Sequence, residues 1–330
     1  MKKHLAKLLA GGAIAALALT GCGSGSPSGS AETGAGPGSA SGGTRDITVG
    51  VLSIAPSAAM QYGIDEGIFE KHGLNVELQP GQGGAAMLPA VSTGTLNFAV
   101  GNPLSVMTAA TKGLDMKIVT GYSASKAEGE DINGVVTRKD SGISSWKDLA
   151  GKTTSVNALK TQGDLTIMQS AKLDGADPSK LKFNEMPFQD MEAQLERGNT
   201  DAVWLPEPFL SRALADKDNK LVGYPNQEAL PGLPTMVTFS SGQYIKDNPE
   251  VVADFKAAVT EVLEQAEKNP DAVRAILPKF MNMPPEVAKN LKMETFDPEV
   301  RTQVLQDMGR LMVEYKFVDK QPDVAAMTVK

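Results

Sequence analysis

The 330-residue chain contains a single cysteine, Cys22, and two histidines, His4 and His72. One cysteine excludes an intramolecular disulfide and any zinc site built on paired cysteines. His4 lies in a leader expected to be removed, so a Ser-His-Asp triad would have to use His72. His72 stands beside Gly73 at what reads as a helix C-terminus, where partial positive charge is favoured. No general-base context surrounds it. There is no run of Lys and Arg, and Asp plus Glu outnumber Lys plus Arg 39 to 32, which argues against nucleic acid as a partner. No phosphate-binding loop of the Gly-x-x-x-x-Gly-Lys type is present. The apolar stretch Leu8–Leu19 is too short for a stable membrane span, which takes about 20 residues.

What is present begins with an export signal. Lys2, Lys3 and Lys7 form a positive end, Leu8–Leu19 is rich in Ala and Leu, and Leu19-Thr20-Gly21-Cys22 follows. That tetrapeptide resembles the bacterial lipobox. The resemblance implies lipid on the Cys22 sulfur, cleavage just before it and acylation of the new amine. Residues 1–21 are thus expected to be a lipoprotein signal peptide, and 22–45 the lipidated cysteine with a flexible Gly/Ser/Ala linker. Gly23–Thr44 carries a lone charge, Glu32, and nothing that could build a core. Such a tether has an end-to-end distance of about 25 Å, and several acyl chains anchor stably where one does not. Without the three leader lysines, 29 cations face 39 carboxylates, a net charge of −10. Roughly 285 residues remain for one large domain or two lobes.

The folded body contains a repeated unit. Ala85–Gly94 reads as a helix closed by glycine, Asn97–Val100 as a strand and Gly101-Asn102-Pro103 as a turn. About a hundred residues later Asp190–Arg197 reads as a helix, Gly198 as its stop, Ala202-Val203-Trp204 as a strand and Pro206-Glu207-Pro208 as the turn. Gly94 aligns with Gly198, Asn97 with Asp201 and Asn102 with Pro206. Two such units suggest two similar α/β lobes facing a common cleft, although units of this kind are common in α/β proteins. Elsewhere Ile47–Leu52, Leu74–Leu78, Lys117–Thr120, Thr153–Val156 and Leu181–Met186 read as strands. Ala58–Glu70 reads as a helix with Met60, Ile64 and Phe69 inward. Ser145-Trp146-Lys147-Asp148 is a capping box, with Trp146 a packing anchor. Asn248-Pro249, Asn269-Pro270 and Asp297-Pro298 each place an N-cap before a proline at a helix start, and Pro284-Pro285-Glu286 begins another helix. Val252, Phe255, Val259 and Leu263 form an apolar stripe, and the 15 methionines fill irregular core space.

Several stretches, in order and spacing, resemble the nitrate/sulfonate/taurine family of ABC-importer substrate-binding proteins. They are Gly67–Glu77, Gly81-Gln82-Gly83-Gly84, Leu96–Ala99 with Gly101-Asn102, Asp148–Lys152, and Asp201-Ala202-Val203 with Glu207-Pro208. The resemblance implies a type II periplasmic-binding-protein-like α/β fold: two lobes joined by two crossing segments, a ligand cleft between them, and a helical C-terminal region completing lobe 1. The expected division is 46–138 and 235–330 for lobe 1 and 139–234 for lobe 2, with the first crossing near Gly134–Arg138 and the return near Thr235–Phe239. It implies a lipid-anchored solute receptor on the extracytoplasmic face of the cell membrane, delivering a small molecule to ABC permease subunits. No cofactor or metal is implied, and a monomer is expected. The same fold could serve an extracytoplasmic sensor. Some relatives make the thiamine pyrimidine precursor, using an active-site histidine and a cysteine-rich iron motif. Here only His72 and a lipidated Cys22 could serve, so no enzyme activity is expected.

Ligands of open α/β sheets sit beyond the carboxyl ends of strands. On that rule the cleft draws on Ser53, Gln82, Gly83 and Asn102 from one lobe, with Ser123 near the hinge. Thr161, Gln162 and Glu207 come from the other lobe. Gly81–Gly84 opens a helix and offers free N–H groups to an anion, or is a plain tight turn. Thr161-Gln162-Gly163-Asp164 is a capping box. The resembled family binds ligand at that place, while pure capping serves Thr161 equally well, and Asp164 is read as capping only. Glu207 either faces the cleft or caps the helix after Pro208. If it faces the cleft it calls for a ligand with a donor or positive nitrogen, because like charges repel in a partly dry site. A taurine-like zwitterion or an amino-substituted ring then fits better than nitrate.

Overall fold

The computed structural model describes residues 43–330. The chain first runs through β1 (Arg45–Leu52), α1 (Ala58–Asp65), α2 (Ile68–Lys71), β2 (Leu74–Gly81), α3 (Gly84–Ser92), β3 (Phe98–Gly101), α4 (Pro103–Thr111) and β4 (Met116–Ala124). A second set follows: β5 (Asn133–Arg138), β6 (Thr153–Val156), α5 (Gln162–Leu173), β7 (Lys182–Glu185), α6 (Phe188–Glu196), β8 (Ala202–Pro206), α7 (Phe209–Ala215), β9 (Asn219–Gly223) and α8 (Pro225–Ala229). The last part is β10 (Pro234–Ser241), α9 (Gly242–Asp247), α10 (Pro249–Lys268), α11 (Pro270–Phe280), α12 (Pro285–Lys289), β11 (Thr295–Phe296), α13 (Thr302–Glu314) and α14 (Val324–Met327). No helix among the described residues is long and apolar enough to cross a membrane.

Two mixed sheets organise these elements. The first has the order β11-β4-β10-β3-β1-β2, the second β7-β6-β8-β5-β9. In the first sheet β1, β2 and β3 are parallel and β10 runs antiparallel between β3 and β4. In the second, β6, β7 and β8 are parallel and β5 is antiparallel to β8 and β9. The fold is thus the two-lobe α/β arrangement of periplasmic binding proteins. β3, Phe98-Ala99-Val100-Gly101, is wholly buried, as a strand covered on both faces must be, and it reads accordingly as a continuous apolar run. Phe98 stacks on Phe255 of α10 with ring centroids 3.8 Å apart. The expected stripe of α10 is buried against this sheet, and Ala258, Val262 and Ala266 extend it.

The repeated unit has one structural job in both lobes. Asn97 Oδ1 accepts from Thr48 N at 2.7 Å, and Asn97 N donates to Thr48 O at 3.0 Å. Asp201 Oδ2 accepts from Thr153 N at 2.8 Å, and Asp201 N donates to Thr153 O at 2.9 Å. Each side chain thereby clamps the incoming strand to the parallel strand beside it, β1 in the first sheet and β6 in the second. Gly94 at φ 79° and Gly198 at φ 70° stop the preceding helices in the left-handed conformation that favours glycine.

Four expectations need correction. The Asn133–Arg138 stretch pairs with β8 and β9, so it belongs to the second sheet and the first crossing lies upstream of it, not near Gly134–Arg138. Pro234–Ser241 pairs with β3 and β4, so the return crossing also precedes the expected segment. Asp297-Pro298 starts no helix; Asp297 instead accepts from Glu299 N at 2.9 Å and Arg301 Nε at 2.7 Å, closing a turn before α13. The helix expected over Ala58–Glu70 is broken at Gly67, φ 69°, into α1 and α2. The Ser145–Asp148 box is formed on a short 3-10 turn, where Trp146 is buried and donates Nε1–H to Glu228 at 2.5 Å.

Candidate functional site

β1 and β2 end just before Ser53 and Gln82, and both of these side chains are exposed. Gly83 is buried and N-caps α3. A Cβ on it would lie 3.1 Å from Asn157 Nδ2, a side chain of the second lobe just past β6. A Cβ on Gly101 would come within 2.6 Å of Gly84 Cα, and one on Gly84 within 3.1 Å of Asn102 N. The glycines of this loop therefore serve close backbone approach, setting the start of α3 against the start of α4. Asn102 caps α4, its Oδ1 accepting from Ser105 N at 2.9 Å and from Ser105 Oγ at 3.0 Å. α3 has no side-chain cap, so its first N–H groups and its positive end are open to a ligand or water.

Across the cleft, the start of α5 is heavily capped. Asp164 accepts from Lys160 N at 2.6 Å and Thr161 N at 2.7 Å, and Thr161 Oγ1 donates to Ala158 O at 2.9 Å. Burial pushes the Asp164 carboxyl up to about 7 against the pull of these donors. The polar groups of Thr161 are thus engaged in the turn. Gln162 is different: it is 2% exposed, and its Oε1 has no hydrogen-bond partner, a costly state for a buried acceptor.

Glu207 is 1% exposed, and its carboxylate accepts from Ser211 N at 3.0 Å and Ser211 Oγ at 2.6 Å. The helix-capping alternative is the arrangement found. Burial raises its pKa, and the two Ser211 donors oppose the rise. Its main chain does link the lobes, because Glu207 O accepts from Ala55 N at 3.2 Å.

Ser123 lies where the crossing strands meet. Its hydroxyl is 2.8 Å from that of Thr235, both are buried, and Glu294 packs beside them. Asn133 Nδ2 donates to Glu294 Oε1 at 3.1 Å, while Oε2 has no partner. Burial pushes Glu294 up to about 8; Ser123, Thr235 and Asn133 pull it down, and the Asp131 charge adds to the rise. Asp131 is itself buried, accepting from Ser125 Oγ at 2.5 Å and from Ile132 N at 2.9 Å. Lys292 pairs with Glu130 at 2.8 Å close by.

Two cavities lie between the lobes. The larger, 580 Å³, has Ser53 on one side, Phe209 and Arg212 of α7 on another, and the Met281–Val287 segment across from them. The smaller, 370 Å³, lies between α3, α4 and the Leu159–Thr161 turn. Of the residues expected at the cleft, Ser53 lines the larger and Thr161 the smaller. Gly83 and Asn102 meet through Gly84, whereas Ser123 and the Glu207 carboxylate are enclosed in protein. Asn157 went unforeseen, although the strand-end rule that selects Glu207 selects it too. Phe209, Met283 and Glu294 went unforeseen for want of any local signal. His72 lines neither cavity; its Nε2 is 2.9 Å from Glu261 on α10. Cys22, the leader and the linker through residue 42 lie outside the described residues.

Comparison with known proteins agrees with this architecture. The chain is 24% identical, over 98% of its length and 93% of the relative's, to a Bacillus subtilis (strain 168) protein named for aliphatic sulfonate binding. The alkanesulfonate-binding protein SsuA of Xanthomonas axonopodis pv. citri, bound to MOPS, superposes with a TM-score of 0.73 at 15% identity, covering 88% of this chain and 99% of that one. The periplasmic nitrate-binding protein NrtA of Synechocystis PCC 6803 gives 0.70 at 12% identity, covering 86% and 84%. These likenesses show the fold. The family model described as NMT1/THI5 like matches residues 56–273, about two-thirds of the sequence, and the chain belongs to that family.

Proposed function

We propose that the chain is the solute-binding component of an ABC importer, held on the extracytoplasmic face by lipid on Cys22, and that it captures an organic sulfonate by closing two lobes. The observation that carries this reading is the meeting of the lobes at Ala55–Glu207 and Gly83–Asn157, beside an uncapped helix start. The relatives named for sulfonate and nitrate binding support it. The acidic head sits at the N-terminus of α3, bonded by the N–H groups after Gly83 and by the Asn102 amide. Ser53 and Gln82 flank it, and Gln162 supplies the facing wall. Thr161 and Asp164 hold that wall in place, and the Ser123 cluster forms the hinge. Because the Glu207 carboxylate is committed to Ser211, the site carries no call for an amine, and the proposed solute is a sulfonate in place of a taurine-like zwitterion. The protein accordingly binds and releases without chemistry, passing solute to permease subunits.

Calorimetric titration of the protein with butane-1-sulfonate, taurine and nitrate tests this reading. One-to-one binding of the sulfonate, weaker for the other two, is expected. Preference for nitrate, or absence of binding to all three, contradicts it.

A further inference from the structure

The lobes also touch at the far end of α13. This helix packs on α4 of the first lobe and reaches α5 of the second. Its start is held at the return crossing, where Arg301 Nη1 donates to Gly232 O at 2.8 Å. The 13 residues of the helix then carry the chain about 20 Å from that point. The helix stops on Lys316, φ 58°, with Phe317 N donating to Met312 O at 2.8 Å and Lys316 N to Val313 O at 3.0 Å. Such a left-handed stop is usually made with glycine, and here it fixes what the neighbouring side chains reach. The Tyr315 hydroxyl donates to Gln169 Oε1 of α5 at 2.6 Å. Glu314 pairs with Lys172, about one turn further along α5. Phe317 borders the 370 Å³ cavity together with the Leu159–Thr161 turn. Burial and the Glu314 charge push the Tyr315 hydroxyl up to about 12, so it remains a donor at neutral pH.

We infer that Glu314, Tyr315 and Phe317 form a latch that holds the lobes together, and that Tyr315 and Gln169 are positioning residues for solute capture. All three latch residues come from the tail that completes the first lobe, and all three meet the second. α5 carries the two polar partners of the latch and, at its start, Gln162 of the wall that faces the solute. Contacts at both ends of this one helix therefore favour the same position of the lobes. A contact made only with the lobes together lowers the free energy of the closed form alone. It acts on every solute equally, because it touches none. Tyr315–Gln169 is the stronger of the two polar pairs. The Lys172 and Glu314 side chains are 51% and 43% exposed, and exposed ion pairs contribute little. This inference rests on the lobe closure of the functional reading above, not on the identity of the solute.

The test is a double-mutant cycle of Tyr315→Phe and Gln169→Ala. Small-angle scattering without solute should give each variant a larger radius of gyration than wild type. Calorimetry with butane-1-sulfonate, taurine and nitrate should show each solute that wild type binds held about fivefold more weakly by Tyr315→Phe, the worth of one neutral hydrogen bond. The factor should be the same for each solute, and stopped-flow should place the loss in faster dissociation. Adding Gln169→Ala to Tyr315→Phe should cost little more. A merely structural tyrosine would shift the urea midpoint and leave the dissociation rate alone. Unchanged affinity for a solute that wild type binds overturns the latch and leaves the functional reading standing. Unequal losses among the solutes would put Tyr315 in the site itself and overturn it as well. If none of the three binds, the functional reading fails and the radius alone decides the latch: an unchanged one overturns it.

Discussion

Replacing Glu294 by glutamine should change the pH dependence of stability in a defined way. The carboxyl is 5% exposed beside Ser123, Thr235 and Asn133, and burial raises its pKa from 4.5 to about 8. Between those values the folded protein holds a proton that the unfolded chain has released. Stability therefore falls as pH rises from about 4.5, at a slope of 2.303RT per proton, or about 1.4 kcal/mol per pH unit. The loss is complete above about 8 and reaches at most the order of 5 kcal/mol. Glutamine imitates the protonated acid at every pH. Its amide oxygen can accept from Asn133 Nδ2, which donates to Glu294 Oε1 in the native protein. Asp131, Glu207, Asp164 and the Lys292–Glu130 pair are present in both proteins, so their titrations largely cancel in the difference. Urea unfolding of wild type and Glu294→Gln at one-unit steps from pH 5 to pH 9 measures it. The variant should be near wild type at pH 5, gain steadily to pH 8 and then hold its advantage. A gap that is constant with pH, or one that shrinks, would refute a buried, protonated Glu294.

The strand clamps are equally accessible. Asn97→Ala and Asp201→Ala each leave a strand N–H without its side-chain acceptor and should cost about 1–3 kcal/mol by urea unfolding; unchanged midpoints would show that the clamps contribute nothing. Gly101→Ala places a Cβ 2.6 Å from Gly84 Cα, so the α3 loop must move; a loss of about 1–3 kcal/mol in stability is expected, together with weaker sulfonate binding. Wild-type affinity in that variant would argue against the α3 helix start as the seat of the head group. Cys22→Ala should abolish labelling by a palmitate analogue and release the protein from membranes; retention in the membrane fraction at high salt would place the anchor elsewhere.

Local grammar made much of the fold readable. Gly94 and Gly198 mark helix stops because few other residues tolerate their backbone angles. Asn97 and Asp201 recur because each lobe clamps its incoming strand in the same way. What went unread depends on partners distant in sequence. Gly134–Arg138 is a short apolar run, and nothing in it says which sheet it will join; its pairing with β8 and β9 decides that. Asp297-Pro298 has the form of a helix start, yet its carboxylate is drawn to Glu299 N and Arg301. Glu207 was correctly placed at a strand end, but the position does not fix the side chain, which turns to Ser211. The wall of the larger cavity at Met281–Val287 comes from the helical tail, some seventy residues beyond Phe209, so no periodicity or motif connects the two.

A crystal structure of the protein with hexane-1-sulfonate tests the central claim most directly. The account predicts the sulfonate oxygens within hydrogen-bond distance of the N–H groups that open α3 and of the Asn102 amide, enclosed between both lobes with Gln162 facing them. A sulfonate bound outside the interlobe cleft, or held by one lobe alone, would contradict it.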